Sequence, residues 1–195
     1  MQEELVVGIL SDTHIPHRMS RLPDAVLRAL AGVDVILHAG DVDDPDALKP
    51  LCALARVHAV RGNFHLLDWS DGGAGLPATA ELELAGRQIV LTHGYRPGPV
   101  RFALKAVHVL LMAIGLRDNA ILNQRAARRL AREYPDADII IFGHSHQAHV
   151  AWVDGRLVIN PGAVCSSATE VPSVALLYLG RGEPRVKIIP LEGRS

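Results

Sequence analysis

Short apolar runs, four to six residues long and mostly rich in Val and Ile, recur along the chain: Leu5 to Leu10, Val33 to Leu37, Arg56 to Val60, Gln88 to Leu91 and Asp138 to Phe142. Unbroken runs of this length are what strands buried on both faces require. Between the early runs, Leu22, Val26, Leu27 and Leu30 fall on one face of a helix, with Gly32 placed to end it. Alternating strand and helix predicts parallel pairing. Beyond residue 147 the pattern changes. Gln147 to Asn160 and Ser173 to Leu191 read as strands joined by tight turns at Asp154-Gly155 and Gly180-Arg181-Gly182, and Leu82 to Val90 reads as a hairpin about Ala85-Gly86. The expectation is an α/β fold of two mixed sheets packed together and flanked by helices.

Composition narrows this without altering it. A chain of 195 residues fits one domain, spanning 1–195, which buries roughly 70% of the surface its unfolded form exposes. Hydrophobic residues at 49% and charged residues at 21% argue against a long disordered tail, and scarce aromatics imply an aliphatic core. Cys52 and Cys165 form no CxxC pair, which suggests neither a disulfide framework nor a zinc knuckle and fits a reducing compartment. Met1-Gln2-Glu3-Glu4 lacks the basic start and small-residue cleavage site of a signal peptide, so a cytoplasmic location is expected. Phe102 to Leu116 is apolar but is interrupted by Lys105 and His108 and is too short to cross a bilayer; it reads as a helix. A net charge of −1 gives no overall bias toward nucleic acid or anionic lipid.

The informative feature is where the polar residues fall. Asp12 and His14 follow the first strand, Asp41 the second, Asn63 the third, His93 the Ile89 to Thr92 run, and His144 the Ile139 to Phe142 run. Open α/β sheets bind ligands outside the carboxyl ends of their strands, so these side chains are candidates to converge on one crevice. Taken singly, each has an ordinary explanation. Asp12-Thr13-His14 also suits a capped turn, and Gly62-Asn63 suits a left-handed turn, since both residue types tolerate positive φ. Gly143-His144-Ser145-His146 is more specific, because residues two apart in an extended segment point the same way. Carboxylate, amide oxygen and imidazole, without thiolate, suit borderline divalent ions such as Mn, Fe, Co, Ni or Zn, of which Mn is the first expectation. Seven donors exceed one site that leaves room for substrate, so two ions are expected, with Asp41 as the bridge.

In order, Asp12-Thr13-His14, Gly40-Asp41, Gly62-Asn63, Thr92-His93-Gly94 and Gly143-His144-Ser145-His146 resemble the signature of the calcineurin-like metallophosphoesterase superfamily. The likeness runs from residue 5 to about 165 and is greatest to its small single-domain (YfcE-like) phosphodiesterases; Asn160-Pro161-Gly162 resembles a loop common in that branch. The resemblance implies a four-layer αββα sandwich. It also implies one metal held by Asp12, His14, Asp41 and His146 and a second held by Asp41, Asn63, His93 and His144. The activity implied is hydrolysis of a small phosphate ester by a metal-bound hydroxide. The competing reading is a protein-interaction scaffold, because the same fold serves without evident catalysis in a membrane-trafficking coat subunit.

Two departures stand out. Superfamily members commonly place a His directly after the motif Asn, where it protonates the leaving group; here Phe64 stands there and His65 comes one residue late. His65 is therefore either the general acid or a surface histidine, and diesters are favoured over monoesters. The second departure is a helical, basic and apolar insertion at about 99–134. Arg101 to Arg132 carries a net +6 against −7 for the rest of the chain, which makes it a cap that attracts anionic substrate or a solvated helix face. Its apolar part, 102–116, is a candidate contact for a homo-oligomer. His17, His38, His58, His108 and His149 are left without a metal role.

Overall fold

The computed structural model describes residues 4–63, 73, 75–94, 119–165 and 171–191. In chain order the elements are β1 (Leu5–Leu10), α1 (Asp24–Ala29), β2 (Val35–His38), a 3-10 turn (Pro45–Leu48), α2 (Lys49–Cys52), β3 (Arg56–Ala59), β4 (Thr79–Leu84), β5 (Arg87–Thr92), α3 (Asn119–Glu133), β6 (Ile139–Ile141), β7 (His149–Val153), β8 (Arg156–Asn160), β9 (Ser173–Leu179) and β10 (Arg185–Pro190). They form two five-stranded sheets, ordered β10-β9-β1-β2-β3 and β4-β5-β6-β8-β7. Within each, three neighbours run parallel: β1, β2 and β3 in the first, β5, β6 and β8 in the second. Both sheets are mixed, as expected.

The layers follow from which side chains each strand turns inward. Val7, Ile9, Leu37, Ala175 and Leu177 of the first sheet meet Ile89, Leu91, Ile139, Ile141 and Ile159 of the second in one aliphatic core. Each fully buried Val, Leu or Ile contributes about 1.5–3 kcal/mol. The outer face of the first sheet, with Leu10, Ile36 and Val174, is covered by Val26 of α1, Leu30 at its C-terminal cap and Leu51 of α2. The outer face of the second, with Val90, Ile140 and Val158, is covered by Ala127, Leu130 and Ala131 of α3. The result is the expected αββα sandwich.

Several boundaries differ from the expectation. Helix α1 starts after Pro23, so Leu22 lies ahead of it, buried in the same cluster, and the helix closes at Leu30, before Gly32. The hairpin turns at Ala85-Gly86 and Asp154-Gly155 put both residues at positive φ, the two-residue geometry that matches strand twist. β7 begins at His149 instead of Gln147, because the Gln147 amide bonds to the Ser145 hydroxyl and its carbonyl accepts from Asn123, which takes the backbone out of the ladder. Of the 99–134 insertion, the described part is α3; the apolar stretch 102–116 lies outside the described residues. No helix among the described residues is long and apolar enough to cross a membrane.

Candidate metal centre

The carboxyl ends of the parallel strands in both sheets open on the same crevice. β1 delivers Asp12 and His14, β2 delivers Asp41, and β3 delivers Asn63, while β5 delivers His93 and β6 delivers His144 and His146. All seven expected residues are drawn together; His65, with Phe64, lies outside the described residues. The loop backbone is unusual. Asp12, His14, Asp41, Asp43, His144 and His146 all have positive φ, a conformation that costs a non-glycine residue about 1–2 kcal/mol. His144 and His146 are thus not in the extended geometry read from their spacing, and they diverge: the His144 ring meets His93 edge-on at 5.2 Å, and the His146 ring lies 5.6 Å from His14.

Two clusters result, joined by one atom. In the first, Asp12, His14, Asp41 and His146 each bring a donor atom within 4.8 Å of the others, and Asp12 Oδ1 faces His146 Nε2 at 3.3 Å. In the second, Asn63 Oδ1 lies 2.9 Å from His93 Nε2. The shared atom is Asp41 Oδ2, 3.4 Å from His14 Nε2 and 3.3 Å from His93 Nε2. Its other oxygen is already engaged, since the Asn63 amide donates to Asp41 Oδ1 at 2.9 Å.

The surrounding groups aim these donors. Asp12 Oδ2 is 2.6 Å from the Ser11 hydroxyl and accepts from the His144 amide at 3.2 Å, while Oδ1 is buried and accepts no hydrogen bond among the described residues. A buried carboxylate oxygen set among imidazole nitrogens fits a cation. His93 Nδ1 lies 2.8 Å from the Ala39 carbonyl, so Nδ1 carries the proton and Nε2 is turned into the site. Gly40 N–H donates to His38 Nδ1, leaving His38 Nε2–H for Thr13 Oγ1 at 3.2 Å. Asn160 Nδ2 donates to the Gly143 carbonyl and Oδ1 accepts from the Gly162 amide, which ties the Asn160-Pro161-Gly162 loop to the Gly143-His146 loop.

Charge follows the same arrangement. Burial opposes ionisation of both Asp12 and His146, but their mutual attraction wins: Asp12 is held well below the usual carboxyl range and His146 is raised to about 11. Burial likewise opposes charge on His93, and Asp41 overrides it, raising His93 to about 9. At His38 burial outweighs the pull of Asp12 and Asp41 and lowers the ring to about 4. His144 is also held below its ordinary range, first by loss of solvation at its ring and then by His93.

This arrangement gives the metal-free protein a pH signature. The folded state favours imidazolium at His93 and His146, so the stabilisation is complete below the ordinary value of 6.5 and is lost as pH rises through about 9 and then about 11. Scanning calorimetry of chelator-treated protein should show a melting temperature that falls from pH 6.5 to 9; a rise over that interval would contradict the pairing.

Sequence reasoning missed several contributors. Asp43 lies against His14, and His38 bonds to the Thr13 hydroxyl and the Gly40 amide beside the site, where residue type alone gives no sign; the only signal for Asp43 is its place two residues after Asp41. Sulfur was set aside because the cysteines are far apart in sequence. The chain after β8 nevertheless brings Cys165 Sγ to 3.8 Å from His146 Nδ1, and Cys165 also groups with His14 and His146.

A family model described as the calcineurin-like phosphoesterase superfamily domain matches residues 5–182. The chain belongs to this superfamily. Relatives in the superfamily include a probable metallophosphoesterase of Methanothermobacter thermautotrophicus, 31% identical over 177 residues, or 90% of this chain and 86% of that one. A phosphodiesterase of Methanocaldococcus jannaschii is 25% identical over 193 residues, covering 92% of this chain and 96% of its own. Among solved structures, an archaeal phosphodiesterase matches with a TM-score of 0.63 at 22% identity, over 95% of this chain and 100% of that one. Vps29 of Entamoeba histolytica complexed with zinc matches with a TM-score of 0.63 at 24% identity, over 96% and 100%. At those identities the structural likeness is one of fold. Membership of a metallophosphoesterase family supports a metal-dependent phosphoester hydrolase, and the Asp12-His14-Asp41-His146 cluster is its candidate metal site.

Proposed function

We propose that this chain is a single-domain, cytoplasmic, two-metal phosphodiesterase acting on a small phosphodiester. The observation that carries the reading is the position of Asp41 Oδ2 between His14 Nε2 and His93 Nε2, one carboxylate oxygen common to two donor clusters. Asp12, His14, Asp41 and His146 would hold one ion, and Asp41, Asn63, His93 and His144 the other. Oxygen and imidazole donors suit a borderline divalent ion, with Mn(II) the ion proposed and Fe, Co, Ni and Zn as alternatives. When bound, two such ions supply Lewis acidity: they activate water and offset charge on the phosphoryl oxygens.

The protein's own part is to fix that geometry. Ser11, Ala39 and Asn160 hold the proposed ligands and their loops by hydrogen bonds, and the His144 ring meets His93 edge-on at 5.2 Å. Phe64 in the usual place of a leaving-group histidine is the reason for favouring diesters. His65 is the proposed proton donor to the leaving oxygen. His65→Ala should slow esters with poor leaving groups by about 10²–10⁴-fold while sparing activated aryl esters; equal loss on both would assign His65 no such part.

The test of the reading is hydrolysis of bis(4-nitrophenyl) phosphate against 4-nitrophenyl phosphate, with each of the five metals added to chelator-treated protein. A strong monoester preference would reverse the substrate class, and no hydrolysis with any metal would favour a scaffold. The scaffold reading has one observation behind it: Val150 and Trp152 stand exposed on β7, an edge strand. Under the enzyme reading Trp152→Asp leaves turnover of the small diester unchanged.

A further inference from the structure

Asp43 is the charged group that the two-metal reading leaves without a role. Its carboxylate is fully buried, with Oδ2 3.0 Å from His17 Nδ1 and 3.5 Å from His14 Nδ1. A buried carboxylate is costly unless it is paired, and here it faces two imidazoles at once. The position is fixed by backbone. His14 N–H donates to the Asp41 carbonyl and Asp44 N–H to the Ile15 carbonyl, both at 3.0 Å, and Ile15 and Asp43 form a parallel bridge, so the two loops run in register. Asp43 also takes a left-handed backbone, φ 65, alongside the ligands Asp12, His14 and Asp41.

The His14 ring is therefore spanned by carboxylates, Asp43 at Nδ1 and Asp41 at Nε2. A neutral imidazole carries one proton, and a nitrogen that donates to a cation must carry none. A proton on Nδ1, facing Asp43, frees the Nε2 lone pair on the side of Asp41. The opposite tautomer would set the Nδ1 lone pair against the Asp43 carboxylate and close Nε2 to a metal.

We propose that Asp43 is the positioning residue for His14, selecting the tautomer and ring orientation that direct Nε2 at the first ion, with half-exposed His17 securing Asp43 from the rim. This rests on the two-metal reading. A carboxylate behind a ligand imidazole raises its basicity, and removing such a partner typically costs about 10–100-fold in metal affinity.

The experiment is Mn(II) binding by calorimetry to chelator-treated wild type and Asp43→Asn, which preserves shape and removes charge. The expected result is one site weakened about 10–100-fold, the second site unchanged, and turnover restored at saturating Mn(II). Two sites filling in Asp43→Asn as in wild type would overturn the assignment. A second measurement does not depend on the variant folding: long-range proton–nitrogen spectra of wild type loaded with diamagnetic Zn(II). His14 bound through Nε2 with a proton on Nδ1 supports the proposal, and His14 bound through Nδ1 defeats it. Wild type that takes up no divalent ion would instead sink the two-metal reading itself.

Discussion

Asp41→Ala will reduce phosphodiester hydrolysis by on the order of 10³-fold or more, because one substitution strips a donor from both proposed ions. Asp41 Oδ2 faces histidines of both clusters, 3.4 Å from His14 Nε2 and 3.3 Å from His93 Nε2, whereas Asp12 Oδ1 lies 3.3 Å from His146 Nε2 of the first. Asp41 also holds Asn63 by accepting its amide, so the third-strand loop loses its anchor with the carboxylate. Metal analysis of the purified variant should show both ions depleted together. Loss of one ion with the other at full occupancy would mean that the carboxylate does not bridge. His93 should respond as well, since Asp41 is what raises its proton affinity against burial, and its titration should move back toward the ordinary imidazole range.

Gly62→Ala should be the most damaging change that removes no ligand. A Cβ at Gly62 would sit 1.6 Å from Asp41 Oδ1 and 2.4 Å from the Asp41 backbone nitrogen, so either the carboxylate or the β3 loop must move. Overpacking of a close-fitted interior costs about 1–3 kcal/mol. Displacing Asp41 adds loss of metal to loss of stability. Urea titration with and without Mn(II) separates the two: the expected variant is less stable in both conditions and gains much less than wild type from the metal. A variant stabilised by Mn(II) as strongly as wild type would show that the carboxylate keeps its place.

That glycine also marks where sequence reading reached its limit. Gly62-Asn63 suggested a left-handed turn, yet neither residue has positive φ; Gly62 is required by the approach of Asp41 from the neighbouring strand, a fact about two loops that no local pattern encodes. The convergence of the expected metal-site residues was legible, because Val/Ile-rich runs locate parallel strands and Asp12, Asp41, Asn63, His93 and His144 are each the first metal-binding residue type past a strand end. The same logic anticipated two mixed sheets with helices outside. What stayed hidden are contacts made from behind. Asp43 against His14, Cys165 against His146 and His93 against the Ala39 carbonyl all cross between loops far apart in the chain. The helix and strand limits slipped by one or two residues where side chains such as Ser145 and Asn123 capture backbone groups that a ladder would otherwise hold.

The division of donors between the two sheets has a mechanical consequence. Asp12, His14, Asp41 and Asn63 leave the first sheet while His93, His144 and His146 leave the second, and each proposed cation draws donors from both. Ions bound there would act as clasps across the aliphatic interior, gripping the native arrangement and having no comparable hold on the unfolded chain. Under the two-metal reading, free metal concentration would set how firmly the two halves stay closed, by mass action, and the ions proposed for the chemistry would also raise the melting temperature.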